Sequence, residues 1–240
     1  MGTIIYGKNA VRDSLVTKKA KKLYVSVRLK NDSFLKSLPL SKTEVSYVLD
    51  KELDKLASSP NHQGYAALVD DYHTYSLDEV ISSAKSKPYP LLAILDGIED
   101  PHNLGAIIRS ADAFGVDGII MKKNGEVPLN ATVAKVSTGA IDYVKVAVVT
   151  NLSSAIRTLK GAGYWIVSSD GEAKTQYDEV DYRSPIAVVV GSEGFGISRL
   201  VKDNSDFLVK IPMLGHVNSL NASVAASILF SEIVRSRREK

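Results

Sequence analysis

Three segments in the second half of the chain bring together residue types that could do chemistry. DPHNLGAIIRSADAFG from Asp100 carries Asn103 and Arg109, VVVGSEGFGIS from Val188 carries Glu193 among Gly191, Gly194 and Gly196, and KIPMLGHVNSLNASVAASI from Lys210 carries Ser219 and Asn221. Each reads as an apolar strand running into a polar or glycine-rich bend that opens a helix. Such junctions leave backbone N–H groups free to hold polar or anionic groups, so the pattern points to a nucleotide-like ligand.

In the first segment Pro101 and Asn103 are helix-start signals, and Ile107, Ile108, Ala111 and Phe114 supply a buried stripe. Gly105 is expected to leave the first turn uncovered, with Arg109 four residues later on the same face, placed to grip a phosphate or ribose oxygen. The alternative is a surface arginine paired with Asp112 or Asp117. In the second segment the glycines permit close backbone approach, and Glu193 either organises neighbouring loops or touches the ligand. In the third, Ser219 or Asn221 caps the following helix, whose small Ala225 and Ala226 suit close packing and a subunit contact.

Familiar nucleotide motifs are missing. There is no GxxxxGK[ST], GSEGFG is not spaced as a dinucleotide fingerprint, and Ser192 does not sit in G-x-S-x-G. Four histidines lie apart from any acidic cluster at ligand spacing, which predicts no metal site, and the absence of cysteine removes disulfides, thiolate ligands and a cysteine nucleophile.

The elements that must position these residues follow from periodicity. From Leu91 onward, strands at LLAILD, GIIM, VKVAVV, YWIVSS, IAVVV and FLVKIP alternate with helices beginning near Leu104, Asn130, Leu152, Ser198 and Asn218. That alternation predicts an α/β fold with a parallel sheet covered on both faces. Residues 1–72 read as a small α/β unit: helix at Lys8 to Val16, strand at LYVSV, strand at EVSYVL, helix at KELDKLA, strand at YAALV. Residues 73–89 are expected to be a linker holding one amphipathic helix (Leu77, Val80, Ile81, Ala84), and 90–240 form the larger domain. The chain has 240 residues with 45% hydrophobic and 24% charged, ordinary for a globular protein. No stretch suits export or membrane spanning, so a cytoplasmic location is expected. The net charge of +3 is a weak argument for a nucleic-acid partner. The clusters VTKKAKKLYVSVRLK and RSRREK could dock phosphates, or be solvated faces.

N-L-G-A-I-I-R-S-A-D-A-F-G, V-G-S-E-G-F-G-I-S and I-P-M-L-G-H-V-N-S-L-N-A-S resemble, in order and spacing, the three motifs of the SpoU/TrmH RNA ribose 2′-O-methyltransferases. YGKNAVRDSL and HQGYAALV resemble the L30e-like RNA-binding domain of the longer members, which methylate a guanosine in large-subunit (23S) ribosomal RNA. The resemblance implies a SPOUT-type α/β knot (trefoil), which periodicity could not predict, with S-adenosyl-L-methionine as methyl donor and RNA as substrate, ribosomal RNA first and transfer RNA as the alternative. It implies a homodimer without metal or membrane. It places Gly191, Ile211 and Leu220 at the donor and Asn103, Arg109, Glu193, Ser219 and Asn221 in the catalytic and substrate set. A guanidinium stays protonated in proteins, so the expected role of Arg109 is to hold the adjacent phosphate and stabilise developing alkoxide charge, with Asn103 and Asn221 orienting it and the ribose, and Glu193 fixing the loop. Two other readings compete: a catalytically silent RNA-binding or ribosome-assembly protein, and a doubly wound nucleotide-dependent metabolic enzyme.

Overall fold

The computed structural model describes residues 2–40, 43–70 and 72–238. The chain divides into two compact units, Met1–Tyr72 and His73–Lys240.

The N-terminal unit runs β1 (Gly2–Tyr6), α1 (Lys8–Val16), β2 (Ala20–Ser26), α2 (Ser33–Lys36), β3 (Glu44–Val48), α3 (Asp50–Ala57) and β4 (Tyr65–Asp70). Its four strands lie in the order β1-β4-β2-β3. The β4 strand pairs antiparallel with β1 and β2, and β3 pairs parallel with β2. Val11, Leu23, Val25, Leu53 and Tyr65 fill the core. Neither β1 nor α2 was expected from sequence. The β1 strand is a five-residue edge with only Ile5 buried, and α2 is a single turn, so neither generates a periodic apolar signal.

The C-terminal unit begins with α4 (Leu77–Ala84), fastened at its start by a reciprocal cap between Ser76 and Glu79. Its Val80 and Ile81 pack into the core of this unit. There follow β5 (Leu91–Asp96), α5 (Pro101–Ala113), β6 (Gly118–Lys122), α6 (Ala131–Val136), β7 (Val146–Val149), α7 (Leu152–Gly161), β8 (Trp165–Ser169), β9 (Thr175–Gln176), β10 (Ile186–Gly191), α8 (Arg199–Asp203), β11 (Phe207–Lys210) and α9 (Ala222–Ser236). Seven strands lie in the order β7-β6-β5-β10-β8-β11-β9, and every pairing is parallel. All six residues of β5 are buried, as expected for a strand covered on both faces. One face packs on α5 and α9 through Ile107, Ile108, Leu229 and Ile233, the other on α4 and α7 through Val80, Ile156 and Leu159.

The strand order reverses direction beside β5. From β5 the chain steps outward to β6 and β7, then returns to build β8 and β10 on the other side. Gly191 at the end of β10 is paired in register with Asp96 at the end of β5. Open parallel sheets place ligand crevices outside the carboxyl ends of strands at such a reversal.

Three expectations are corrected. Helix α5 starts at Pro101, capped by Asp100, whose Oδ1 accepts the His102 N–H at 2.9 Å. Helix α9 starts at Ala222 rather than near Asn218, because Asn221 is its cap, with ψ 140° outside the helical range. Gly105 does not leave a bare turn: a Cβ there would lie 2.6 Å from Val136 Cβ and 2.9 Å from the Val133 carbonyl, so α6 lies directly on it. Among the described residues no helix is long and apolar enough to cross a membrane.

Candidate active site

Asn221 is the centre of the site. As the cap of α9 its Oδ1 accepts the Ser223 N–H at 2.9 Å and the Ser223 hydroxyl at 2.6 Å. This fixes the amide plane, so its Nδ2 is aimed outward. Nδ2 donates to Asn103 Oδ1 at 2.8 Å and to Glu193 Oε2 at 3.1 Å. One side-chain amide therefore joins all three sequence segments. Of the two capping candidates, Asn221 caps; Ser219, two residues earlier, is exposed and not in the hydrogen-bonded cluster.

Arg109 is not in that cluster either. It stands exposed on α5, with neither Asp112 nor Asp117 paired to it: Asp117 instead accepts the Leu91 N–H at 2.9 Å and an ion pair from Lys87. Among the described residues Arg109 makes no hydrogen bond or ion pair, and its guanidinium is available to an incoming anion.

Of the residues expected to hold a donor, Gly191 ends β10 and Ile211 follows β11, half-buried against the core, whereas Leu220 is half-buried just before Asn221, the cap of α9. The glycine loop folds back on itself. Ser192 and Gly196 exchange backbone hydrogen bonds of 3.0 Å each, and a Cβ on Gly191 would lie 2.1 Å from the Gly196 carbonyl carbon. No side chain fits at Gly191, whereas Gly194, Gly196 and Gly215 face open space. Among the described residues no backbone N–H between Met213 and Leu220 donates a hydrogen bond. Peptide groups left free beside half-buried Ile211 and Leu220 fit a ligand with an apolar face and a polar edge, as an adenosine has. Among the described residues no group of His, Asp or Glu side chains is arranged to hold a metal.

Behind these loops is a second polar cluster that the sequence reading did not single out. Asp96, only 4% exposed, accepts the Ser198 N–H at 2.7 Å and the Lys122 ammonium at 2.9 Å. Burial works against its charged form, but the hydrogen bonds from Lys122 and Ser198 outweigh it, holding the carboxyl below its ordinary range. Glu126, 9% exposed, accepts the Gly97 N–H on Oε1 and the Lys122 N–H on Oε2, each at 2.9 Å. Here burial dominates, opposed by those two N–H groups and the Lys122 charge and aided by Asp96, and the carboxyl is pushed up to about 7. The one signal in the sequence is an acid ending the apolar run LLAILD before Gly97.

Residues 90–231 match the SpoU rRNA Methylase family, and residues 4–75 match the RNA 2′-O ribose methyltransferase substrate-binding family. A protein of Staphylococcus haemolyticus, classed by name in the TrmH family of tRNA/rRNA methyltransferases, is 46% identical over 98% of this chain and 96% of its own length. Among solved structures, the methyltransferase AviRb of Streptomyces viridochromogenes in complex with AdoMet aligns with a TM-score of 0.70 at 23% identity, over 98% of this chain and 90% of that one. The AdoMet-bound rRNA methyltransferase of Sinorhizobium meliloti aligns with a TM-score of 0.68 at 24% identity, over 100% and 88%. A TrmH/SpoU tRNA modifying enzyme of A. aeolicus aligns with a TM-score of 0.58 at 29% identity, over 67% and 82%.

Proposed function

From the premise that this chain belongs to the SpoU family of RNA methyltransferases, we propose that it transfers the methyl group of S-adenosylmethionine to a ribose 2′-hydroxyl of RNA, on a guanosine of large-subunit ribosomal RNA. The observation that carries this reading is the double hydrogen bond of the Asn221 amide to Asn103 and Glu193, which unites the three segments at the carboxyl ends of β5 and β10. The substrate-binding match over residues 4–75 supports a ribose acceptor.

The donor, when bound, supplies a methyl group already electrophilic on a sulfonium, so this chain's own residues have two tasks: to orient the acceptor oxygen and to ease loss of its proton. Gly191, Ile211 and Leu220 would hold the donor. On the acceptor side, Arg109 grips the phosphate next to the target ribose and stabilises negative charge on the 2′-oxygen as its proton leaves. Asn103 and Asn221 orient the ribose, Ser219 adds a hydroxyl on the same loop, and Glu193 holds the glycine loop to α9 through Asn221. The accompanying expectations are a cytoplasmic location and a homodimer formed through the outer face of α9, where Val224 is exposed beside Ser227, Ile228 and Tyr177.

Mass-spectrometric mapping of 2′-O-methylation in ribosomal and transfer RNA from cells with and without the gene tests the reading. Loss of one methyl mark on a guanosine of 23S rRNA is expected. A lost mark confined to transfer RNA reassigns the substrate, and no lost mark overturns the activity.

A further inference from the structure

The loop from Lys123 to Asn130, between β6 and α6, belongs to none of the three motifs, yet it is fastened to the turn that aims the first of them. Two bonds make the fastening: the Gly97 N–H to Glu126 Oε1 at 2.9 Å, and the Val127 N–H to the Ile98 carbonyl at 2.9 Å. Glu126 also closes its own loop by accepting the Lys122 N–H. Gly97 adopts φ +88°, and a Cβ on it would stand 3.4 Å from Ser192 Cβ, so the turn rests on the start of the glycine loop. Three residues further on, Asp100 caps α5 and so sets where Asn103 begins. Resting on the reading above, we propose that Glu126 is a positioning residue for methyl transfer, a carboxylate strap that holds the turn at Gly97 against the glycine loop and thereby sets donor affinity.

The chemistry of the strap makes it sensitive to protons. As a carboxylate, Glu126 accepts on both oxygens with full charge; once protonated, one oxygen carries a hydrogen and becomes a much weaker acceptor for the N–H group it faces. The charged groups that face it are the Asp96 carboxylate from β5 and the Lys122 ammonium from β6; Ser198, at the start of α8, contributes a neutral N–H that Asp96 already takes. Burial places the transition near neutrality, at about 7. The deprotonated form therefore holds the turn best while being the costlier form to bury. Positioning and stability then move in opposite directions with pH, a signature that a merely structural side chain lacks.

Glu126→Gln keeps one acceptor and the volume but cannot gain the second acceptor at high pH. Donor affinity of the full chain, measured by calorimetry with S-adenosylmethionine, is expected to be similar in the two proteins near about pH 5.5 and about tenfold stronger in the wild type above about pH 8, the worth of one charge-assisted hydrogen bond. Over the same range the wild type is expected to lose melting temperature relative to the variant. The amide proton of Gly97 in the wild type, followed by NMR, should titrate with a midpoint near that of the affinity ratio. Intact donor binding with a pH-independent ratio, or a Gly97 amide that does not titrate, overturns the role of Glu126 alone. Donor binding absent from both proteins at every pH overturns the functional reading instead.

Discussion

The two polar clusters of the C-terminal unit each hold a glutamate, but under opposite conditions. Glu193 stands in water and Asn103 and Asn221 are half-buried, and the bonds that join the three are side chain to side chain. Asp96 and Glu126 are buried, and each takes one backbone N–H from a distant segment of the chain. Exposed groups can exchange their partners for a substrate at little cost, because water competes for them already. Buried carboxylates cannot, since an unpaired one is penalised by its lost hydration. The outer cluster is thus suited to meeting RNA, and the inner one to keeping three loops in register.

Gly191 is where the hold on these loops leaves least room for change. If the loops must be held rigidly, a methyl group that strikes the Gly196 backbone should be the most damaging small change in the site. Gly191→Ala is expected to abolish measurable donor binding and to cost about 3 kcal/mol of stability, as overpacking against backbone does. Gly194→Ala, where the Cβ meets nothing within 4 Å, should leave stability within about 0.5 kcal/mol. Calorimetry and denaturant titration of both variants check this; equal behaviour would show that the loop is not held as described.

Asn221 comes next, because it both caps α9 and joins the outer cluster. Asn221→Asp keeps the acceptor that caps the helix and deletes the donor to Asn103 and Glu193, while placing a second carboxylate beside Glu193. Turnover on the RNA substrate should fall about 100-fold with stability lowered by about 1 kcal/mol at most. Near-normal turnover would mean that the bridge is incidental to the reaction.

For the inner cluster the sign of a pH effect is the sharper test. The carboxyl of Glu126 is raised from an ordinary value of 4.5 to about 7. Between those two values the folded protein binds a proton that the unfolded chain has released, so stability falls as pH rises from about 4.5 to about 7, by about 3 kcal/mol from this group, and is flat above. Asp96 has the opposite sign: its depressed carboxyl contributes stability above the ordinary carboxylate range that is lost as pH falls through it. Thermal unfolding of wild type and Glu126→Gln across this range isolates the first effect, which the variant should lack.

What sequence exposes and what it hides divide along the same line. Strands such as LLAILD and IAVVV announce themselves because a buried parallel strand is apolar throughout, and the alternation of strands and helices is enough for the α/β class. The residues of the outer cluster were legible through their motifs, yet their union was not: Asn103 and Asn221 are separated by 118 positions, and no local rule brings two amides together over that distance. Glu126 left no trace, because its partners are backbone N–H groups, which any residue supplies, one of them 29 positions away. The two-residue β9 was equally silent, being recruited only by its neighbour β11. Gly105 misled for a related reason: a glycine reads as open space or as tight packing until the facing helix is known.

In the N-terminal unit Arg12 is exposed, with its guanidinium 4.9 Å from the centre of the Phe34 ring. An exposed stacking of this kind is worth under about 1 kcal/mol, so Arg12→Ala should barely shift the unfolding midpoint. If exposed polar groups here also serve the partner rather than the fold, the same change should weaken RNA binding about threefold whatever the sequence offered, and should lower the dependence of log affinity on log salt by about one counterion. Lys22, paired with Glu44 at 2.6 Å, already has its charge answered within the chain, so Lys22→Ala should leave that slope nearly unchanged. Filter binding at a series of salt concentrations reads both variants, and equal slopes would remove Arg12 from the RNA-facing surface.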